Sequence, residues 1–223
     1  EQACAAVAGT RFAVAAVTGT AALHTALVTA GVGANDAVLV STLTFIAPVN
    51  AIRYVGAAPI FIDADPTYWE MDPTAVARFL ETECDRTVDG PVERATGRRV
   101  RAIMPVHFSG LPVAMDELYA LAREHGLRVV EDAAHAIGSR YRDQPIGSFG
   151  DLVVFSFHPN KNMTTIEGGA ISTGDAKAAE LLEQYRFHGI KRNAAGEVDV
   201  MFPGAKSNLT DVAAQVGIDQ LRR

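Results

Sequence analysis

The sequence predicts an α/β fold built on a mostly parallel sheet flanked by helices. Short apolar runs of strand length alternate along the chain with runs of helical spacing. Gly31 and Gly126 stand where two of those helices should stop. The 223 residues, 48% of them hydrophobic, suffice for one large domain or for a large domain and part of another.

Taken in order, EQACAAVAG reads as a helix, and strands are predicted at Phe12 to Val17, Ala37 to Val40, Pro59 to Ile62, Val100 to Val106, Leu127 to Glu131, Leu152 to Phe155 and Gly169 to Ser172. Leu23, Ala26, Leu27 and Ala30 recur at helical spacing within Thr20 to Ala30. Asp72 followed by Pro73 is an amino-terminal cap with proline in the first turn, opening a helix through Phe79 and Leu80. Met115 to His125 forms another. The polar stretch Asp85 to Arg99 is expected to be a surface excursion between a helix and a strand. Arg192 to Ser207 has weak periodicity and is expected to lead away from the sheet.

Composition narrows the function classes. With 26 acidic and 20 basic residues and no dense basic run, a general nucleic-acid or membrane-surface binder is disfavoured. No segment has the roughly 18 consecutive apolar residues of a membrane span, and no secretory leader is visible. Cys4 and Cys84 are too few and too isolated for a disulfide framework or a zinc site, so a reducing cytoplasm is the expected setting. His107, His125, His135, His158 and His188 show no metal-ligand spacing, and no metal site is expected. The chain starts without Met and stops at GIDQLRR, which predicts a piece of a longer protein.

In an open parallel sheet, ligands bind at the carboxyl ends of strands. Thr18, Gly19 and Thr20 lie where a strand meets a helix start, a natural phosphate seat, although an ordinary capped turn reads the same way. Asp132 falls at the mouth of a buried strand with His135 three residues on; capping a turn and filling the core are the plainer roles for the two. Ser156 ends another strand, and Lys161 follows five residues later in FSFHPNKNMTTIEGG. A lone lysine is usually a solvated one, but in an enclosed pocket its amine becomes a nucleophile for aldehydes. Lys161, Asp132, and Thr20 with Ser156 together match what pyridoxal 5'-phosphate requires: an amine for its aldehyde, a carboxylate for its ring nitrogen, and donors for its phosphate.

The blocks TGTAALHTAL, TFIAPVNAIRYVGAAPIFIDADPTYWEMDP, IMPVHFSGLPVAMDEL, VVEDAAHAIGSRY, GSFGDLVVFSFHPNKNMTTIEGGAISTGD and SNLTDVAAQVGIDQL resemble the DegT/DnrJ/StrS family of nucleotide-sugar aminotransferases. The resemblance implies an aspartate-aminotransferase-like fold (fold type I), with residues 1–191 as an amino-terminally truncated large domain and 192–223 as a loop and the start of the connection to a largely missing small domain. It implies that Lys161 bonds covalently to the cofactor, that Asp132 pairs with the pyridinium nitrogen with His135 close by, and that Phe45 stacks on the ring. Gly19, Thr20 and Ser156 match phosphate contacts, and Asn208 matches a residue that reaches the phosphate of the neighbouring subunit of a homodimer. It further implies L-glutamate as amino donor, 2-oxoglutarate as its product and a nucleotide-linked keto sugar as acceptor, aminated at carbon 4. In the sugar-dehydratase branch a histidine replaces the lysine, so Lys161 favours amino transfer; a pyridoxal-phosphate-binding sensor without transaminase activity is the alternative from another class.

Overall fold

The computed structural model describes residues 1–193 and 195–222. Helix α1 (Gln2–Ala8) precedes β1 (Phe12–Ala16) and α2 (Gly19–Thr29), followed by β2 (Asp36–Ser41), α3 (Ile46–Tyr54), β3 (Ala58–Ile62) and α4 (Pro73–Thr82). A hairpin of β4 (Cys84–Thr87) and β5 (Gly90–Glu93) leads into β6 (Arg99–Met104), α5 (Met115–His125) and β7 (Arg128–Asp132). A two-stranded ribbon, β8 (Arg140–Tyr141) with β9 (Gln144–Pro145), comes before β10 (Leu152–Ser156), β11 (Gly169–Thr173) and α6 (Ala176–Arg186). A second ribbon, β12 (Ile190–Arg192) with β13 (Val198–Val200), and α7 (Asp211–Leu221) complete the chain.

The main sheet runs β1-β11-β10-β7-β6-β2-β3. Neighbours from β10 to β3 are parallel, and β11 is antiparallel to both β10 and β1. Alternation along each strand divides the core into two layers. Val38, Val40, Met104, Val130 and Val154 face α2, α3 and α6, whereas Leu39, Ile103 and Val129 face α4 and α5. Val153, Phe155 and Ala170 pack with α1 on that second side. This period places Asp132, two residues after Val130, and Ser156, two after Val154, on the α2 side.

Several expected boundaries move for local reasons. Strand β6 stops at Met104 rather than Val106, because Pro105 brings no N–H to the ladder; Val106 makes only an isolated bridge to Asp132. Strand β7 takes in Asp132 itself. The Asp85 to Arg99 stretch, expected as a surface excursion between a helix and a strand, lies between α4 and β6 and is organised as the β4–β5 hairpin, whose β5 joins the sheet through Val92 and Arg99. Its polarity reflects exposure, and the Arg94 guanidinium ties it together by binding Asp85 Oδ1 and the Cys84 carbonyl, each at 2.7 Å. Helices α3, α6 and α7 add to those expected. After β13 the chain returns to the sheet: the Ser207 carbonyl accepts from Val17 N at 2.7 Å, and α7, capped by Thr210, packs against α1.

Candidate active site

Helix α2 begins against the end of β10. Thr18 caps it, its hydroxyl accepting from Ala21 N at 3.0 Å, and Gly19 and Thr20 form the first turn. A Cβ on Gly19 would lie 2.8 Å from Ser156 Cβ, so only glycine lets the helix amino terminus come this close to the strand end. The positive end of the helix dipole and its unpaired amides therefore meet the buried Ser156 hydroxyl.

A cavity of about 560 Å³ opens at this junction. Gly19, Thr20, Phe45, Asp132, His135, Ser156 and Lys161 all line it. Asn208 does not; it lies beside α1 and α7 in a separate cavity. Phe45, just ahead of α3, is 71% exposed, an aromatic face left open at the mouth.

Asp132 is 5% exposed, and its Oδ1 accepts from Ala134 N at 3.0 Å. It thus supports the turn after β7 as well as facing the cavity. Burial pushes its carboxyl up from the usual carboxylate range, opposed by the Ala134 amide and by the positive charge that His107 and Lys161 can carry. Strand alternation sends the preceding Glu131 to the opposite face. There it accepts from Tyr119 Oη at 2.6 Å and lies 2.9 Å from His107 Nε2, a buried polar set that pins the strand end beneath Asp132. Burial, then the Glu131 charge and hydrogen bond, raise the Tyr119 phenol well above its ordinary value.

Lys161 sits on a loop tied to itself by Lys161 N to the His158 carbonyl at 2.9 Å and Thr165 N to the Phe157 carbonyl at 3.0 Å. Its Nζ is 2.7 Å from His135 Nε2. Burial first, and the Lys161 charge second, lower the His135 imidazole below its ordinary value.

The residues present suit pyridoxal phosphate by their chemistry: an amine, a buried carboxylate still open to a cationic N–H, and a helix amino terminus opening on one cavity. An orphaned atom agrees. Thr44 Oγ1 is buried at the cavity wall without a hydrogen-bond partner among the described residues. Sequence reasoning missed Thr44, His107 and Phe108, which also line the cavity. The position of Thr44, in the loop at the carboxyl end of β2, was the available signal.

Fold and cavity together define the class: this is the fold of the sugar aminotransferases of fold type I, seen over little more than half of their length. The family model for the DegT/DnrJ/EryC1/StrS aminotransferase family matches residues 1–223, and the chain belongs to that family. It is 37% identical to the spore coat polysaccharide biosynthesis protein SpsC of Bacillus subtilis (strain 168), covering 100% of this chain and 55% of that protein. The structure of DesI in the presence of its TDP-sugar product is 35% identical with a TM-score of 0.83, over 100% of this chain and 51% of that one. The PLP form of the sugar aminotransferase Spr1654 from Streptococcus pneumoniae is 29% identical with a TM-score of 0.84, over 100% and 58%. The chain spans about half the length of the relatives it matches. Among the described residues, no helix is long and apolar enough to cross a membrane.

Proposed function

We propose that the full-length protein transfers an amino group from L-glutamate to the keto group of a nucleotide-linked sugar, with pyridoxal 5'-phosphate as cofactor. The observation that carries this reading is the convergence of Lys161, Asp132 and the first turn of α2 on one cavity. The TDP-sugar product of DesI supports the substrate class, and the PLP form of Spr1654 supports the cofactor. The isolated buried thiols of Cys4 and Cys84 support a cytoplasmic setting.

In this reading Lys161 holds the cofactor's aldehyde carbon, Phe45 covers the ring, His135 stands beside it, and Gly19, Thr20 and Ser156 bind the phosphate. Asn208, outside this cavity, serves the neighbouring subunit's phosphate in a homodimer. When bound, the cofactor supplies an electron sink for the pair released at the donor's α-carbon. Asp132 holds the proton on the ring nitrogen, the cationic partner its buried carboxylate is open to. Lys161 Nζ, tethered within reach, carries the proton removed from the donor's α-carbon. Donor and acceptor use the cavity in turn, so ping-pong kinetics follow.

Borohydride reduction of the full-length protein loaded with pyridoxal phosphate, followed by peptide mapping, is expected to find the label on Lys161. A label elsewhere, or none, overturns the assignment. Lys161→Ala is expected to cut formation of 2-oxoglutarate and amino sugar from L-glutamate and nucleotide-linked keto sugars by roughly a thousandfold or more, read by mass. An unchanged rate would remove Lys161 from the chemistry.

A further inference from the structure

The turn after β6 is strained and held at three points, one of them the ring whose other nitrogen reaches Lys161. Ser109 has φ 53°, in the left-handed region that a residue with a Cβ seldom enters. Phe108 N donates to Glu70 Oε2 at 3.4 Å, and Ser139 Oγ donates to the Gly110 carbonyl at 2.8 Å. Ser109 N donates to His135 Nδ1 at 3.2 Å. Gly110, at φ 84°, passes so near the 135 segment that a Cβ there would lie 2.8 Å from the His135 carbonyl oxygen.

We infer that Ser109 is a positioning residue: its backbone amide fixes His135 as the tautomer with its proton on Nε2, aimed at the Lys161 amine. A neutral imidazole has one N–H, and a ring nitrogen that accepts a hydrogen bond cannot carry it. Nδ1 accepts from Ser109, so the proton is on Nε2, where the nearest partner is Nζ at 2.7 Å. Only an unprotonated amine can accept that N–H, and the unprotonated amine is the form that adds to an aldehyde. In that addition C=N forms and C=O breaks, the oxygen leaving as water with the two protons of the amine. The left-handed backbone at Ser109 is what turns an amide, which does not titrate, toward the ring, and the strain is its cost in a residue with a Cβ. The inference rests on reading Lys161 as the cofactor-binding residue, but the tautomer itself does not.

The test uses the full-length protein freed of cofactor. Nitrogen-15 NMR of histidine-labelled protein, with the His135 signals assigned by their loss in His135→Gln, should find Nε2 protonated and Nδ1 bare. The rate at which added pyridoxal phosphate is captured, followed by absorbance, gives the second readout. Ser109→Gly keeps the amide and relieves the strain, and should leave tautomer and rate unchanged. His135→Gln, whose amide N–H can replace Nε2–H, should capture cofactor about tenfold faster than His135→Asn, the worth of about one hydrogen bond. Gly110→Ala should displace the turn, mix the tautomers and slow capture. A proton on Nδ1, a faster Asn than Gln variant, or slow capture by Ser109→Gly each overturns the inference, whether or not Gly110→Ala folds. The expected tautomer together with no label on Lys161 would instead sink the functional reading and leave the tautomer assignment standing.

Discussion

Asp132 and Glu70 are both carboxyl groups at 5% exposure, and they behave differently because of what faces them. Asp132 opens on the cavity, where a cationic N–H would relieve its burial. Removing its charge as Asp132→Asn should lower amino transfer by about a hundredfold or more, while phosphate-driven retention of the cofactor falls far less; full activity would end its assigned role. Glu70 faces backbone: Oε2 takes the Phe108 amide, and Oε1 has no partner among the described residues. Burial pushes its carboxyl up to about 8 from 4.5. An acid raised in the folded state binds its proton there while the unfolded chain has lost it, so stability falls as pH climbs from 4.5 toward 8. Glu70→Gln should therefore match the wild type near pH 5 and melt about 3 °C or more higher near pH 9. A melting difference independent of pH would refute this. Asp132 and Lys161 were legible because each follows an apolar strand. Glu70 was not: in WEMDP it reads as a surface acid before a helix cap, and its burial is decided by a turn 38 residues away.

Helix α2 shows how one element carries a site. Its amino terminus is useful only if it touches β10, and Gly19 makes that contact possible. Gly19→Ala should cost roughly 1–3 kcal/mol of stability by overpacking and weaken cofactor retention about tenfold, measured by denaturation and by titration with pyridoxal phosphate. Unchanged retention would separate this helix end from phosphate binding. The elements that were legible, α2, α4, α5 and the central strands, have either a strong period or a clear stop. Helix α3 escapes notice because Pro48 sits in its first turn, where it is tolerated but resembles a breaker. The β4–β5 hairpin escapes because an exposed ribbon has no apolar alternation to display.

At the scale of the whole molecule, Asn208 lies outside its own chain's cavity, and the proposal that it serves a neighbouring subunit would make a homodimer the condition of complete sites. Co-expressing full-length Lys161→Ala with Asn208→Ala tests it, since each mixed dimer would hold one intact site. With random mixing, about a quarter of wild-type activity should return. Activity no greater than the sum of the two variants alone would place Asn208 in its own subunit or outside the site. The parallel character of the sheet was readable from the alternation of apolar runs. The reversal at β11 was much less legible, because strand direction leaves little mark on composition. That reversal has a consequence for synthesis. Among the described residues, strand β1 pairs only with β11, through contacts such as Phe12 with Thr173 and Ala16 with Gly169. A nascent chain must therefore leave β1 without this ladder partner until some 160 residues later. During translation this segment is an unpaired edge, and the amino-terminal end of α2, which follows it in the chain, can be locked into place only after the lysine loop has already left the ribosome.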